Sequence, residues 1–409
     1  MQQADFDVII VGAGPSGSAC AIYMGKAGKR VLLIDKATFP RDKTCGDAIS
    51  GKSMAILKDL DLVDRVAKTG AAKINGVLIS SPKGIAAEID NPKPDETFLG
   101  FVCKRQMFDN LVFQEAKKHA TVMEGLAVMD LIFDNSRVVG IKAKDAKGQD
   151  HEFISRMVVG ADGATSVVAQ KLGLELMDPP NTSIAVRAYY DGVEGMTNRI
   201  EIHFVDEVMP GYFWIFPTGD KNEANVGLGM LVDARQERNV NLVKLMDEIV
   251  EKNPLMKGRF KNAKKKGKIV GWNLPLGSKP REMVFDGALL IGDAAGLIDP
   301  FSGEGIGNGM LSARVASKVI LKAFYDNDFS KQNLGEYRDE LLKEIGGEFK
   351  NSTRLQRFLK HKWLLNFAIK RIHASKEFRD MLAGTFINES PIDRISITPG
   401  TLWRMLIAR

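Results

Sequence analysis

Gly12, Gly14 and Gly17 stand at G-x-G-x-x-G spacing, with Pro15 and Ser16 between them, directly after the apolar run Val8-Ile9-Ile10-Val11. Each glycine has a use in holding a pyrophosphate: Gly12 for a tight turn, Gly14 for close approach of backbone to phosphate, Gly17 for close helix–strand packing. Asp35 closes the next apolar run, followed by Lys36, where a carboxylate can accept hydrogen bonds from ribose hydroxyls. Asp162-Gly163 and Gly292-Asp293 end two further apolar runs, and Gly303-Glu304-Gly305-Ile306-Gly307-Asn308-Gly309 leads into a helix expected over Met310 to Tyr325. Cys45-Gly46-Asp47 follows Arg41 and Lys43, and Tyr212, Trp214 and Phe216 alternate along one stretch. Together these residues suit the binding of a dinucleotide beside an apolar reactant.

The elements that must position them are legible from periodicity. Val8 to Val11 and Arg30 to Asp35 read as buried parallel strands around a helix from Ser18 to Ala27, a βαβ unit. Met157 to Gly160 and Ala288 to Ile291 read as strands of the same sheet, whose carboxyl ends carry ligands. Arg105 begins another helix. Ala71 to Gly100 and Ser183 to Gly229 alternate like strands, Val240 to Lys252 has the spacing of one amphipathic helix, and Lys257 to Lys268 reads as a basic loop. The fold class is therefore α/β (α+β overall): a discontinuous Rossmann-type domain over 1–70, 101–175 and 270–330, an antiparallel-sheet substrate domain over 71–100 and 176–269, and a helical region over 331–409.

Composition sets outer limits. A chain of 409 residues with 44% hydrophobic and 26% charged residues can bury a large core, and it is neither a disordered nor a membrane-embedded sequence. Its three cysteines, Cys20, Cys45 and Cys103, share no metal-ligand spacing, so no metal site is expected, and a reducing cytoplasm is the expected compartment. Lys343 to Arg409 holds thirteen Lys/Arg against six Asp/Glu, enough to account for the whole net charge of +6. In that segment Arg354, Arg357, Lys360, Lys362, Lys370 and Arg371 interleave with Phe358, Leu359, Trp363 and Phe367. Two readings stand: an interfacial helix on an anionic membrane, or a helical cap with a solvated basic face. No nucleic-acid partner is expected.

The ordered motifs resemble the flavoprotein fold of p-hydroxybenzoate hydroxylase, over Val8 to about Leu321. That resemblance implies FAD as the cofactor, with Asp293 at the ribityl and pyrophosphate region, the 303–309 loop at the flavin pyrimidine edge, and Arg41 and Arg105 supplying positive charge along it. More narrowly, Pro210-Gly211-Tyr212-Phe213-Trp214-Ile215-Phe216-Pro217 followed by Asn225-Val226-Gly227-Leu228-Gly229 resembles the geranylgeranyl reductases, as does the loop from Pro40 to Ser50. An FAD-dependent reductase of C=C bonds in a polyprenyl chain is implied, working by hydride transfer plus protonation. Cys45, Tyr212 and Trp214 are the catalytic candidates, and Tyr212, Trp214, Phe216 and Gly227 the substrate-binding ones. The proton source is open between Cys45 and a water near Asp47 or Glu304. NADPH or a reduced ferredoxin-like protein is the expected electron donor, because the chain has neither a second fingerprint nor a cysteine cluster. Two other functions fit the fold, a monooxygenase or halogenase and a non-catalytic lipid carrier. The halogenase signature Trp-x-Trp-x-Ile-Pro differs from Tyr212-x-Trp214-x-Phe216-Pro217 here.

Overall fold

The computed structural model describes residues 4–387, apart from Glu96 and Leu359. The strand Phe6–Val11 lies at the centre of a parallel sheet, between Val31–Asp35 and Asp150–Gly160, because Val8, Ile9 and Ile10 bury both faces completely. Thr121–Glu124 extends this sheet on one side and Ala288–Leu290 on the other, both in parallel. The first helix runs over Pro15–Lys26, three residues earlier than its spacing predicts, since Pro15 at its first turn needs no N–H there. The later helix likewise begins at Ile306 and runs to Asp326, and the two helices pack together over the sheet. Ser317 Oγ meets Cys20 Sγ at 3.6 Å in that contact, so Cys20 is a buried packing residue.

A second sheet has seven strands in the order 264–275, 182–191, 224–231, 211–217, 199–203, 76–80 and 86–90. All pairs are antiparallel except Arg199–His203 with Gly76–Ser80. Two sequence expectations are corrected here. The substrate sheet extends to Pro275 rather than 269, and Lys264, Lys265, Lys266 and Lys268 belong to its edge strand rather than to a loop. Lysines on an edge strand oppose pairing with another chain, which fits that placement. Ala72–Ile74 leaves this sheet for a three-stranded one with Ala48–Ser50 and Gly100–Val102.

Strand alternation gives the large sheet two different faces. Ile79, Ile202 and Phe204 face one way, while Ser80, Glu201 and His203 face the other, where Ser80 Oγ and Glu201 Oε2 meet the two ring nitrogens of His203 at 2.8 and 3.0 Å. Arg259 pairs with Glu201, which completes a buried polar network away from the cavity. Helices Glu336–Phe358, Lys362–Ala374 and Lys376–Ile387 follow, and Ile369, Ile372 and Ala383 pack with Ala87, Ile89 and Phe204 of the sheet. Among the described residues, no helix is long and apolar enough to cross a membrane.

Candidate active site

A single continuous cavity of about 1850 Å³ runs from the fingerprint loop, under the seven-stranded sheet, to the C-terminal helices. That exceeds the roughly 300–1,000 Å³ of an ordinary small-molecule site, leaving room for a dinucleotide and a second ligand. Its first part is built from the glycine loops. A Cβ on Gly12, at φ +100°, would fall 2.4 Å from Ala161 O, and one on Gly17 would fall 1.8 Å from Gly12 O. These two glycines are required by the backbone itself. Gly14 differs: its φ is −65°, and a Cβ there would enter open space, with Arg41 Nη2 nearest at 3.6 Å.

The shape fits FAD on several counts. The helices starting at Pro15 and Ile306 both lack a side-chain cap and both begin at the cavity wall, which offers their first-turn N–H groups as donors to an anion there. Asp35 lines the cavity, its carboxylate held by the N–H groups of Ala13 (2.7 Å) and Ala37 (2.8 Å), with lone pairs left for hydroxyl donors. Pro15, Ser16, Lys36, Asp293, Gly303, Gly305 and Ile306 also line it. So do Arg41 and Arg105, and Asp109 fixes both: Arg105 grips that carboxylate with two bonds, at 2.5 and 2.7 Å, and Arg41 adds a third at 2.6 Å.

Three expected contact residues are placed behind the wall. Gly17, Gly292 and Gly227 do not line the cavity, though Gly292 is required by close approach, since a Cβ there would lie 2.6 Å from Ser16 Oγ. Asp162 lines it beside Gly163, but its carboxylate accepts the N–H groups of Val167 (2.7 Å) and Val168 (3.2 Å) and so caps the helix Val167–Lys171. Only its backbone and edge remain for a cofactor.

The second part of the cavity carries the aromatic residues. Tyr212, Trp214 and Phe216 line it from one face of the strand Gly211–Pro217, with ring centroids 6.1 and 6.2 Å apart along the row. A Cβ on Gly227 would fall 2.3 Å from Trp214 Cζ2, so this glycine is the seat on which the indole rests. Gly46 lets the Cys45 loop lie against the same row, because a Cβ there would meet Phe216 Cε2 at 2.9 Å. The Tyr212 hydroxyl donates to the carbonyl of Ser302, tying the row to the glycine loop. Asp299 shapes that loop by accepting the N–H groups of Phe301 (3.0 Å) and Ser302 (2.7 Å).

Behind Cys45 lies a hydrogen-bonded hub that no local motif announces. Asn225 donates to Cys45 O at 2.8 Å and to Asp47 Oδ2 at 2.7 Å, and its own Oδ1 accepts from Trp214 Nε1 at 2.9 Å. Tyr189 Oη donates to the same Asp47 oxygen at 2.6 Å. Asn225 opens the motif run Asn225-Val226-Gly227-Leu228-Gly229, which gives it no role by itself, and Tyr189 has no sequence signal. Burial pushes the Asp47 carboxyl up to about 6, against the pull of Tyr189, Asn225, Arg187 and Arg105. Burial likewise raises the Cys45 thiol above its ordinary range, while Arg105 opposes this, so at neutral pH Cys45 keeps its proton. Lys43, which stands in the Pro40–Ser50 motif but is given no role by it, lines the cavity with its ammonium 3.6 Å over the Trp272 ring, and burial pushes it down to about 7.

Asp47 gives a stability prediction. Its folded value of about 6 lies above the ordinary 3.8, so the cost of burying its charge is fully present above pH 6 and absent below pH 3.8. Asp47→Asn removes that cost, and its stability relative to the parent is expected to rise by about 3 kcal/mol from pH 3.5 to pH 7. Urea denaturation of both proteins across that range measures it. A difference that stays constant with pH would remove the buried charge from the account.

Comparison with known proteins agrees with this construction. The FAD binding domain family model matches residues 5–343. A menaquinone reductase of Mycobacterium tuberculosis is 32% identical over 325 residues, 77% of this chain and 76% of that protein. Digeranylgeranylglycerophospholipid reductase 2 of Methanococcoides burtonii is 32% identical over 353 residues, 85% of this chain and 82% of that one. Among solved structures, a geranylgeranyl bacteriochlorophyll reductase-like protein from Thermoplasma acidophilum superposes with a TM-score of 0.82 at 23% identity, over 98% of this chain and 99% of that one. A flavin-dependent brominase superposes at 0.79 and 24% identity, over 98% of each chain. At those identities the two structures speak to the fold alone.

Proposed function

We propose that this chain, which belongs to the FAD binding domain family and within it to the geranylgeranyl reductases, saturates C=C bonds of a polyprenyl chain carried on a lipid. The coarser activity is that of an FAD-dependent reductase, and the finer reading is supported chiefly by the course of the cavity. Beyond the aromatic row it continues between Val77, Ile79 and Ile202 of the sheet and Leu365, Ile369 and Ile372 of the helices, an apolar arm suited to a long hydrocarbon. The two named relatives are, by their names, reductases of menaquinone and of digeranylgeranylglycerophospholipid, which agrees with such an arm. NADPH or a reduced ferredoxin-like protein remains the proposed source of electrons.

The fingerprint loop, Asp35, Arg41, Arg105 and the 303–306 loop would hold FAD, which would supply a hydride when reduced. The remaining work falls to the chain. An isolated alkene accepts hydride poorly, so one carbon must be protonated while positive charge develops on the other, the carbon that takes the hydride. Cys45 is the proposed donor: its thiol is protonated at neutral pH, and the Arg105 guanidinium beside it stabilises the thiolate left behind. Tyr212 and Trp214 face the same space and stabilise developing positive charge by cation–π attraction. The enclosing sheet and helices keep bulk water from the reacting carbons.

The assay is anaerobic reoxidation of the reduced holoenzyme by a geranylgeranyl lipid, followed at the flavin absorbance, with mass spectrometry of the product. A product heavier by two hydrogens per turnover is expected, and flavin that stays reduced would remove the assignment. Trp214→Ala is expected to retain FAD yet slow this step about tenfold or more, equivalent to about 1.4 kcal/mol of transition-state stabilisation. Tyr212→Phe keeps the ring but frees Ser302 O, so it is expected to slow the step less. If neither variant differs from the parent, the aromatic row is packing and nothing more.

A further inference from the structure

Phe358 and Phe367 line the cavity, yet they are 40% and 36% exposed, so the cavity wall reaches solvent at these two rings. They stand on either side of the corner between helices Glu336–Phe358 and Lys362–Ala374. Trp363, one residue into the second helix, is 70% exposed and does not line the cavity. Helical spacing puts Trp363, Phe367 and Lys370 on one stripe, and Arg354, Arg357 and Phe358 on another. The corner therefore presents large aromatic side chains around an opening, ringed by cations.

The charge is more concentrated than the sequence shows. Lys83 comes from the turn after the strand Gly76–Ser80, and its N–H donates to Asn366 Oδ1 at 3.1 Å, which brings an exposed lysine beside the second helix. Arg354, Arg357, Lys360 and Lys370 are also exposed, whereas Lys362 pairs with Asp206 at 2.8 Å and Arg371 is half-buried. Of the six basic residues expected to act together, four are thus placed for it and two are not.

We propose that this corner docks on an anionic lipid bilayer, with Trp363, Phe358 and Phe367 in the interfacial layer and the cavity opening directly into the acyl region. The proposal rests on the polyprenyl-reductase reading, because an apolar arm open to water would otherwise have no lipid to receive. A bilayer suits the corner because it offers an apolar layer for the aromatic rim and a sheet of negative charge for the surrounding cations. A water-soluble delivery protein would need neither in that arrangement.

Sedimentation with vesicles tests it, using the FAD-loaded protein with phosphatidylcholine alone and with phosphatidylcholine containing phosphatidylglycerol. Binding to the anionic vesicles is expected to be at least tenfold stronger and to weaken with salt. Changing Arg354, Arg357, Lys360 and Lys370 to Gln together should lower it about tenfold or more, and Trp363→Ser should lower binding to both vesicle types. Flavin absorbance and turnover of a prenyl diphosphate presented in solution report that these variants remain folded and competent. Equal partition to both vesicle types, or variants that bind like the parent, would overturn docking even if the dissolved prenyl substrate is reduced. Vesicle binding without reduction of any prenyl substrate would instead leave docking standing and remove the reductase reading.

Discussion

Gly14→Val gives a folded protein that purifies without the yellow of bound flavin. The residue caps the first helix at φ −65° and ψ −178°, an extended conformation that valine adopts readily, and its Cβ direction is open apart from Arg41 Nη2 at 3.6 Å. The chain therefore tolerates the side chain, while the space into which it projects is where the pyrophosphate must touch backbone. Affinity for FAD should fall by at least about a hundredfold, roughly 2.7 kcal/mol. Flavin absorbance after gel filtration and titration of the flavin-free protein with FAD measure it, and circular dichroism verifies the fold. Gly12→Val and Gly17→Val are informative contrasts, because their side chains would collide with Ala161 O and Gly12 O and should prevent folding rather than binding. A Gly14→Val protein that keeps its full flavin content would break the link between this cavity and the cofactor.

Cys45→Ala should leave the flavin in place and slow reoxidation by a polyprenyl substrate about a hundredfold or more, the lower range for loss of a positioned general acid. The side chain lies on a loop held from behind by Asn225, which binds its carbonyl, so removing the thiol leaves the backbone course intact. Cys45→Ser separates acid from packing: the hydroxyl is similar in size but a far weaker acid, and it should be nearly as slow as alanine. The rate of flavin reduction by dithionite should be unchanged in both. If reoxidation proceeds at the parent rate, the proton comes from elsewhere, and a water near Asp47 or Glu304 becomes the source to examine.

How much of this was legible before the structure depends on how local each cause is. The βαβ unit could be read because its signals are short-range: two saturated apolar strands, glycines at fixed offsets and an acid at the second strand's end. Alternation of Tyr212, Trp214 and Phe216 gave their common face for the same reason, since side chains two apart on a strand must point alike. Spacing predicts helix starts at Ser18 and Met310, and the helices begin at Pro15 and Ile306, because glycine and proline at cap positions have the composition of a loop. The basic stretch from Lys257 to Lys268 has the pattern of a loop, and its part from Lys264 is strand, because an exposed edge strand with lysines lacks the apolar alternation of a buried one.

Residue types and spacing along the chain determined the dinucleotide loop, the two later acidic-glycine strand ends, the aromatic row and the basic, aromatic character of the C-terminal region. Each is a property of neighbours within one or two turns of backbone, which is the range over which periodicity and steric rules act. The tertiary structure decided the rest. It joined Asn225 to Cys45 across 180 positions, set Gly227 beneath Trp214, spent the Asp162 carboxylate on a helix cap, and brought Lys83 beside Asn366 across 283. It also ran one cavity from the first glycine loop to the last helices. Such contacts arise where separate elements bury their apolar faces against one another, and no short window of sequence specifies which faces meet.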